Sequence, residues 1–360
     1  MPELEIRVVD SVADPGIPTL QRVLDPVTMA EHLRRVLPDR CGSARQIRIH
    51  ILKRHRTRCT FEIEWTSEAA LAAMVGKVYA ADRVDVYRAM NAIRAAGFGP
   101  EDAFSIPEPL AYLPDQRLLL QEKVSGPRVK HVFLTGAEPD RVEAAERCAG
   151  WLTRFQASAP RCGQPYVVED VLESLDEWLQ SLDAAGDELA GKAKRLRKKI
   201  EAAAAELEPT ESRPGHAHYT SGQILLAELR TPSGDSSSTT GSNGVPVQRQ
   251  DRTAVFDWDG YDVADPSRDV ACFVVDLNRL ARKTPAASAT LRQAADVFLK
   301  TCRAHAGENV VVNLPFYAAA LYLRLAGRDM GKHGPEKASA TLDDGLRLLD
   351  RGQWSWHEHA

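Results

Sequence analysis

The sequence predicts an α+β protein made of two lobes, a small antiparallel sheet with one helix followed by a larger helical part. Two changes of period predict it. From position 46 apolar residues alternate with polar ones, as Ile47, Ile49 and Ile51 and then as Phe61, Ile63 and Trp65, which is the pattern of strands with one buried face. Past Gly126 the apolar spacing lengthens to that of helices over nearly all of the remaining chain. At 360 residues and 44% hydrophobic, the chain can bury one large or two modest cores, which excludes a disordered chain and a small disulfide scaffold.

In chain order, residues 18–37 carry apolar residues at helical spacing (Leu20, Val23, Leu24, Met29, Leu33, Val36) and predict an N-terminal helix or two. Three strands follow, around 47–51, 61–65 and 74–79, and imply an antiparallel meander. Val86, Met90 and Ile93 place a helix over about 83–95, ended by Gly97 and Gly99; IPEPLAYLP and RLLLQEKV then read as two more strands. This defines an N-terminal lobe over 1–122. The helical lobe is expected over 123–360, with helices near 139–157, 168–183 and 186–207, two short strands at 223–228 and 253–258, and helices again from 269 to 351. Between the short strands, the Ser/Gly/Thr-rich residues 231–252 cannot bury a core and are expected to form a flexible insertion. The basic run KAKRLRKK is expected to be a solvated helix face.

With 46 Lys+Arg against 50 Asp+Glu the net charge is −4, so no general affinity for nucleic acid or anionic membrane is expected. Val310–Leu323 is expected to be too short for a membrane span, and the acidic N-terminus is not expected to act as a secretory signal. The six cysteines show no CxxC and are expected to be reduced packing residues of a cytoplasmic protein.

Chemistry concentrates in two segments, HAHYTSGQILL at 216–226 and TAVFDWDGYDVADPSRDVACFVV at 253–275. Together with the order of strands and helices they resemble the catalytic loop and metal-binding segment of the aminoglycoside phosphotransferase and choline kinase superfamily, whose pattern is similar to HGDxHPGNILL followed by IDWDxxxxxDPxxDLA. The second segment matches well through Asp257, Trp258, Asp259, Asp265, Pro266 and Asp269; the first is degenerate. The resemblance implies a bilobal protein-kinase-like fold and transfer of phosphate from ATP, with Mg²⁺, to a hydroxyl of a small molecule or peptide.

The same resemblance assigns roles. Lys77, on the third strand, is expected on the nucleotide phosphates, with Asp85 the acid its neighbouring helix offers. The hairpin KRHRTR replaces a glycine turn, and Arg56 there is expected to reach phosphate. Gln121 and Lys123 are expected to meet the nucleotide base from the link between the lobes. Asp257 and Gln223 are the expected Mg²⁺ ligands, both hard oxygen donors. Asp269 is expected to brace the catalytic loop. His218 stands where the family has its catalytic aspartate; a neutral imidazole can accept a hydroxyl proton and its ordinary pKa near 6.5 suits that task.

Two other readings remain open. A pseudokinase would bind nucleotide, or keep only the fold, and serve a protein partner as a scaffold. Alternatively, His216 and His218, sharing a face of an extended segment, would bind a transition metal together with Asp257 and Asp259.

Overall fold

The computed structural model describes residues 7–8, 16–42, 46–66, 71–228 and 251–351. The chain forms two compact units, the first from 1–126 and 227–256, the second from 127–226 and 257–360.

In the first unit, β1 (Arg7–Val8) is followed by three short helices, α1 (Leu20–Val23), α2 (Pro26–Val36) and α3 (Pro38–Cys41). Asp25 starts α2 by accepting a hydrogen bond from the Thr28 amide at 2.8 Å, with Pro26 in the first turn, where its missing N–H costs nothing. The strands β2 (Gln46–Arg54), β3 (Arg58–Thr66) and β4 (Leu71–Tyr79) form the expected meander. After α4 (Val84–Ala95) and β5 (Phe104–Ser105), β6 (Pro109–Leu113) and β7 (Leu118–Glu122) complete the sheet, in the order β1-β2-β3-β4-β7-β6. All of its pairings are antiparallel except that of β1, which runs parallel to β2.

The buried face of β3, Cys59, Phe61, Ile63 and Trp65, packs with Met29 and Leu33 of α2 and Met74 and Val78 of β4. Gly76 is required in β4, because a Cβ there would lie 2.5 Å from the ring of Phe61.

The second unit is helical: α5 (Val129–Thr135), α6 (Glu138–Ser158), α7 (Val168–Asp183) and α8 (Asp187–Ala204), then α9 (Ser267–Lys283), α10 (Ser288–Ala306), α11 (Leu314–His333) and α12 (Pro335–Arg351). Between α6 and α7 lies β8 (Gln164–Pro165), and between α8 and α9 come β9 (Arg213–Gly215), β10 (Ile224–Glu228), β11 (Asp251–Val255) and β12 (Asp262–Ala264). β12 pairs antiparallel with β9 and parallel with β8. An aromatic cluster of Trp151 and Phe155 from α6 with Tyr219 and Trp258 fills the core beneath this small sheet, with ring centroids 5.0 to 5.9 Å apart.

Several expectations are corrected here. The division between units falls after Gly126 rather than 122, and 227–256 belong to the first unit. The cause is β11, which pairs parallel with β5 and sets Arg252, 1% exposed, into a fork on Glu122 at 2.9 and 3.0 Å. Asp251 and Arg252 are therefore strand residues and no part of an insertion; 231–250 lie outside the described residues. The basic run on α8 is largely exposed, as expected, with only Lys192 and Arg197 less so, paired with Asp343 of α12 and Asp176 of α7. Glu308–His333 is long and apolar enough to cross a membrane, but 72% of its apolar window is buried within the protein, as befits a core helix. Finally, Cys162 is exposed, while the other five cysteines are buried.

Candidate active site

The loop between β9 and β10 is held by the helix that follows it in the chain. Asp269 and Asp276 lie seven residues apart on α9, two turns of helix, and so share a face. Asp269 Oδ2 accepts the His216 amide at 2.6 Å. Asp276 Oδ2 accepts the Ser221 amide at 3.0 Å and its hydroxyl at 2.5 Å. Burial pushes the Asp276 carboxyl pKa up, against the two Ser221 hydrogen bonds that lower it. Between these anchors the Tyr219 hydroxyl donates to the Cys148 carbonyl at 2.8 Å, and the buried His216 ring stands edge-on to Trp258 at 4.8 Å.

Two residues of the site have left-handed backbone without being glycine: Ala217 at φ 66° and Asp257 at φ 77°. Such positions cost about 1 to 3 kcal/mol each, persist only where the surroundings impose them, and gather at functional sites. Asp257 follows β11 and precedes the 3₁₀ turn Trp258–Gly260, so the bend turns its side chain out of the strand's line. Its Oδ2 accepts a hydrogen bond from Gln223 Nε2 at 3.2 Å, while Thr220 Oγ1 donates to Gln223 Oε1 at 3.1 Å. The structure thus brings together the two expected metal ligands. Since Thr220 can also accept, the amide end of Gln223 can present either atom to Asp257. A carboxylate and an amide oxygen side by side are the donor set of a hard cation such as Mg²⁺.

His218 belongs to the same unit, and its imidazole feels the Asp257 charge. By surface area the residue is exposed, yet protein crowds the ring. Desolvation draws its pKa down to about 3, aided by the charges of Arg324, His216 and Arg328 and opposed by Asp257. His218 is therefore a neutral imidazole near pH 7, not a group poised to titrate there.

The transition-metal reading does not fit this geometry. The turn at Ala217 removes the extended backbone on which His216 and His218 would share a face. Among the described residues no three His, Cys, Asp or Glu side chains form a metal-holding group.

The remaining expected residues lie in the first unit. Lys77 is 4% exposed in β4, opposite Thr60 and Leu119; lysine is buried to that degree only when its ammonium is paired. Asp85 receives the Arg83 guanidinium at 3.0 Å. Arg56 is exposed at the tip of the β2–β3 hairpin. Gln121 is buried in β7 opposite Val75, and Lys123 forms an ion pair with Glu62.

Sequence reasoning passed over Arg252, Asp276 and Arg324. Arg252 sits at the end of a polar run, where an arginine reads as surface. Asp276 could have been found from its two-turn spacing to Asp269. Arg324 carries no local signal, being a basic residue that follows the apolar first half of its helix.

No protein-family model matches the sequence, and no curated protein matches it at a significant level. Solved structures do. A thermostable mutant of aminoglycoside phosphotransferase APH(4)-Ia superposes with a TM-score of 0.56 at 16% identity, covering 89% of this chain and 99% of that one. The GDP and kanamycin complex of APH(2")-IIIa gives 0.56 at 11% identity, over 91% and 98% of the two chains. A choline/ethanolamine kinase family protein from Mesorhizobium loti gives 0.53 at 14%, over 91% and 94%. The chain has a kinase-like phosphotransferase fold. Within that class, its fold is the one shared by the aminoglycoside phosphotransferases and the choline kinases.

Proposed function

We propose that the protein transfers a phosphoryl group from a nucleoside triphosphate, ATP by expectation, to a hydroxyl of a small molecule. The observation that carries this reading is the pairing of Asp257 with Gln223 at 3.2 Å on a strained bend, beside a loop gripped at both ends by α9. Such bracing supplies the preorganisation on which phosphoryl transfer depends. The solved structure with GDP and kanamycin supports a nucleotide and a small hydroxyl acceptor as the two substrates.

Asp257 and Gln223 would hold Mg²⁺, which supplies charge neutralisation on the phosphates when bound. Lys77, and Arg56 from the hairpin, would add positive charge for the same phosphates; Gln121 and Lys123 would serve the base. The neutral His218 imidazole accepts the acceptor's proton as its oxygen bonds to the γ-phosphorus and the bond to the β-phosphate oxygen breaks, releasing the nucleoside diphosphate. A base with so low a pKa takes that proton late, when the oxygen is already bonding to phosphorus.

The same low pKa favours a second reading, a nucleotide-binding protein that does not transfer. Calorimetric titration with ATP and GTP, with and without Mg²⁺, followed by a search for transfer to small alcohols, decides between them. Mg²⁺-dependent binding with transfer is expected. Binding without transfer establishes the second reading, and no binding of either nucleotide overturns both.

A further inference from the structure

Beside the catalytic loop the second unit contains a small open pocket, with Ala217, Arg268, Cys272, Tyr166, Tyr317 and Arg324 among its walls. It adjoins the chemistry directly: Ala217 precedes His218, and Arg324 is the foremost charge acting on the His218 ring. The charged residues of its lining are both arginines.

Arg268 is accounted for. It forms an ion pair with Asp262, and its guanidinium lies 4.0 Å over the Tyr166 ring. Arg324 is different. Its Nε is shut off from solvent with no hydrogen-bond partner, and among the described residues no carboxylate pairs with it. Burial pulls its guanidinium pKa down, and the nearby charges of Arg268 and Arg328 add repulsion. Nor can the thiol of Cys272 serve as its counter-ion, since burial raises it to about 11. An arginine held so, without a counter-charge, is unfavourable in the empty protein; an anion placed in the pocket would satisfy it with a charge-assisted, forked pair.

We infer that this pocket holds the phosphoryl acceptor and that the acceptor is a small anionic alcohol, its carboxylate or phosphate paired with Arg324, rather than an amine. The apolar wall of Val171, Leu175, Ala320 and Leu321 would cover its carbon skeleton. The assignment of the ligand as acceptor rests on the phosphotransferase reading; the preference for an anion does not.

The test titrates glycerate, glycerol 3-phosphate, glycerol and choline into the full chain at low ionic strength, with nucleotide titrated separately. At least one of the two anions is expected to bind about tenfold or more tightly than glycerol and choline, and which one does identifies carboxylate or phosphate. Arg324→Gln should remove that preference and Arg324→Lys should keep most of it. If Arg324→Gln does not fold, Leu321→Glu, at the pocket wall, should abolish anion binding while leaving the helix content intact. Equal binding of neutral and anionic probes, a preference for choline, no binding of any probe, or an anion preference unchanged in Arg324→Gln or Leu321→Glu each overturns the inference. Anion binding by a protein that takes no nucleotide overturns the phosphotransferase reading instead and leaves the anion pocket standing.

Discussion

Asp269 and Asp276, two turns apart on one helix, receive the backbone amides of His216 and Ser221 and so fix both ends of the loop that carries His218. The spacing converts a regular helix into a two-point clamp, and the residues between the points inherit its rigidity. The left-handed turn at Ala217 is one result: a non-glycine residue keeps this conformation because its flanks cannot relax.

Asp276→Ala leaves the Ser221 amide and hydroxyl without their acceptor. A buried donor deprived of its partner costs about 1 to 3 kcal/mol, so the midpoint of chemical denaturation should fall by a corresponding amount. Asp276→Asn, which keeps an acceptor oxygen, should recover part of the loss.

Asp257→Ala and Gln223→Ala should each weaken Mg²⁺-dependent nucleotide binding, and Lys77→Ala should weaken it with or without the metal. For a lost charge-assisted contact the expected effect is about 10-fold to 100-fold, with Gln223, being neutral, at the lower end. Calorimetry on folded variants measures it, and unchanged affinity in all three would remove them from the nucleotide site.

His218 supplies a pH prediction whose sign can be worked out. Its folded pKa is depressed below the ordinary 6.5, to about 3. Below pH 6.5 the unfolded chain therefore binds a proton that the folded protein refuses. This residue's contribution to stability is full above that pH and declines as pH falls toward 3. An NMR titration should find the imidazole neutral at pH 5, and turnover should be flat from pH 6 to 8 as far as His218 is concerned. An imidazole titrating near 6.5 would refute the assignment of a desolvated ring.

Arg252→Met strips the buried Glu122 of its fork and should destabilise the protein by about 3 to 5 kcal/mol, because the buried carboxylate loses the guanidinium that offsets its desolvation. Pairing it with Glu122→Leu should restore much of that stability, as measured by urea denaturation of the single and double variants.

The strands at 46–66 were legible because Ile47, Ile49, Phe61 and Ile63 each face the core at every second position. Long helices such as α6 and α9 were legible for the same reason at their own period. The two-residue strands β1, β5 and β8 are too short to show any period, and α5 is a two-turn helix lost between larger ones. At the site, Asp257 and Gln223 were nominated by resemblance, and the structure adds their contact. Arg252 and Arg324 escaped because what makes each matter, a buried acid for one and the want of one for the other, comes from residues far away in the chain.

The fork between Arg252 and Glu122 sets an order of events during synthesis. Glu122 leaves the ribosome 130 residues before its partner, and β5 waits longer still for β11. The first unit is the first to be translated but cannot be the first to be completed; the whole of α5 to α8 is made in the interval. A fragment ending at Gly126 would lack the guanidinium fork on Glu122 and leave the edge of β5 open. Truncations at that apparent boundary should therefore aggregate, whereas a single chain in which 251–256 are joined back to the first 126 residues through a short linker would carry both halves of the closure.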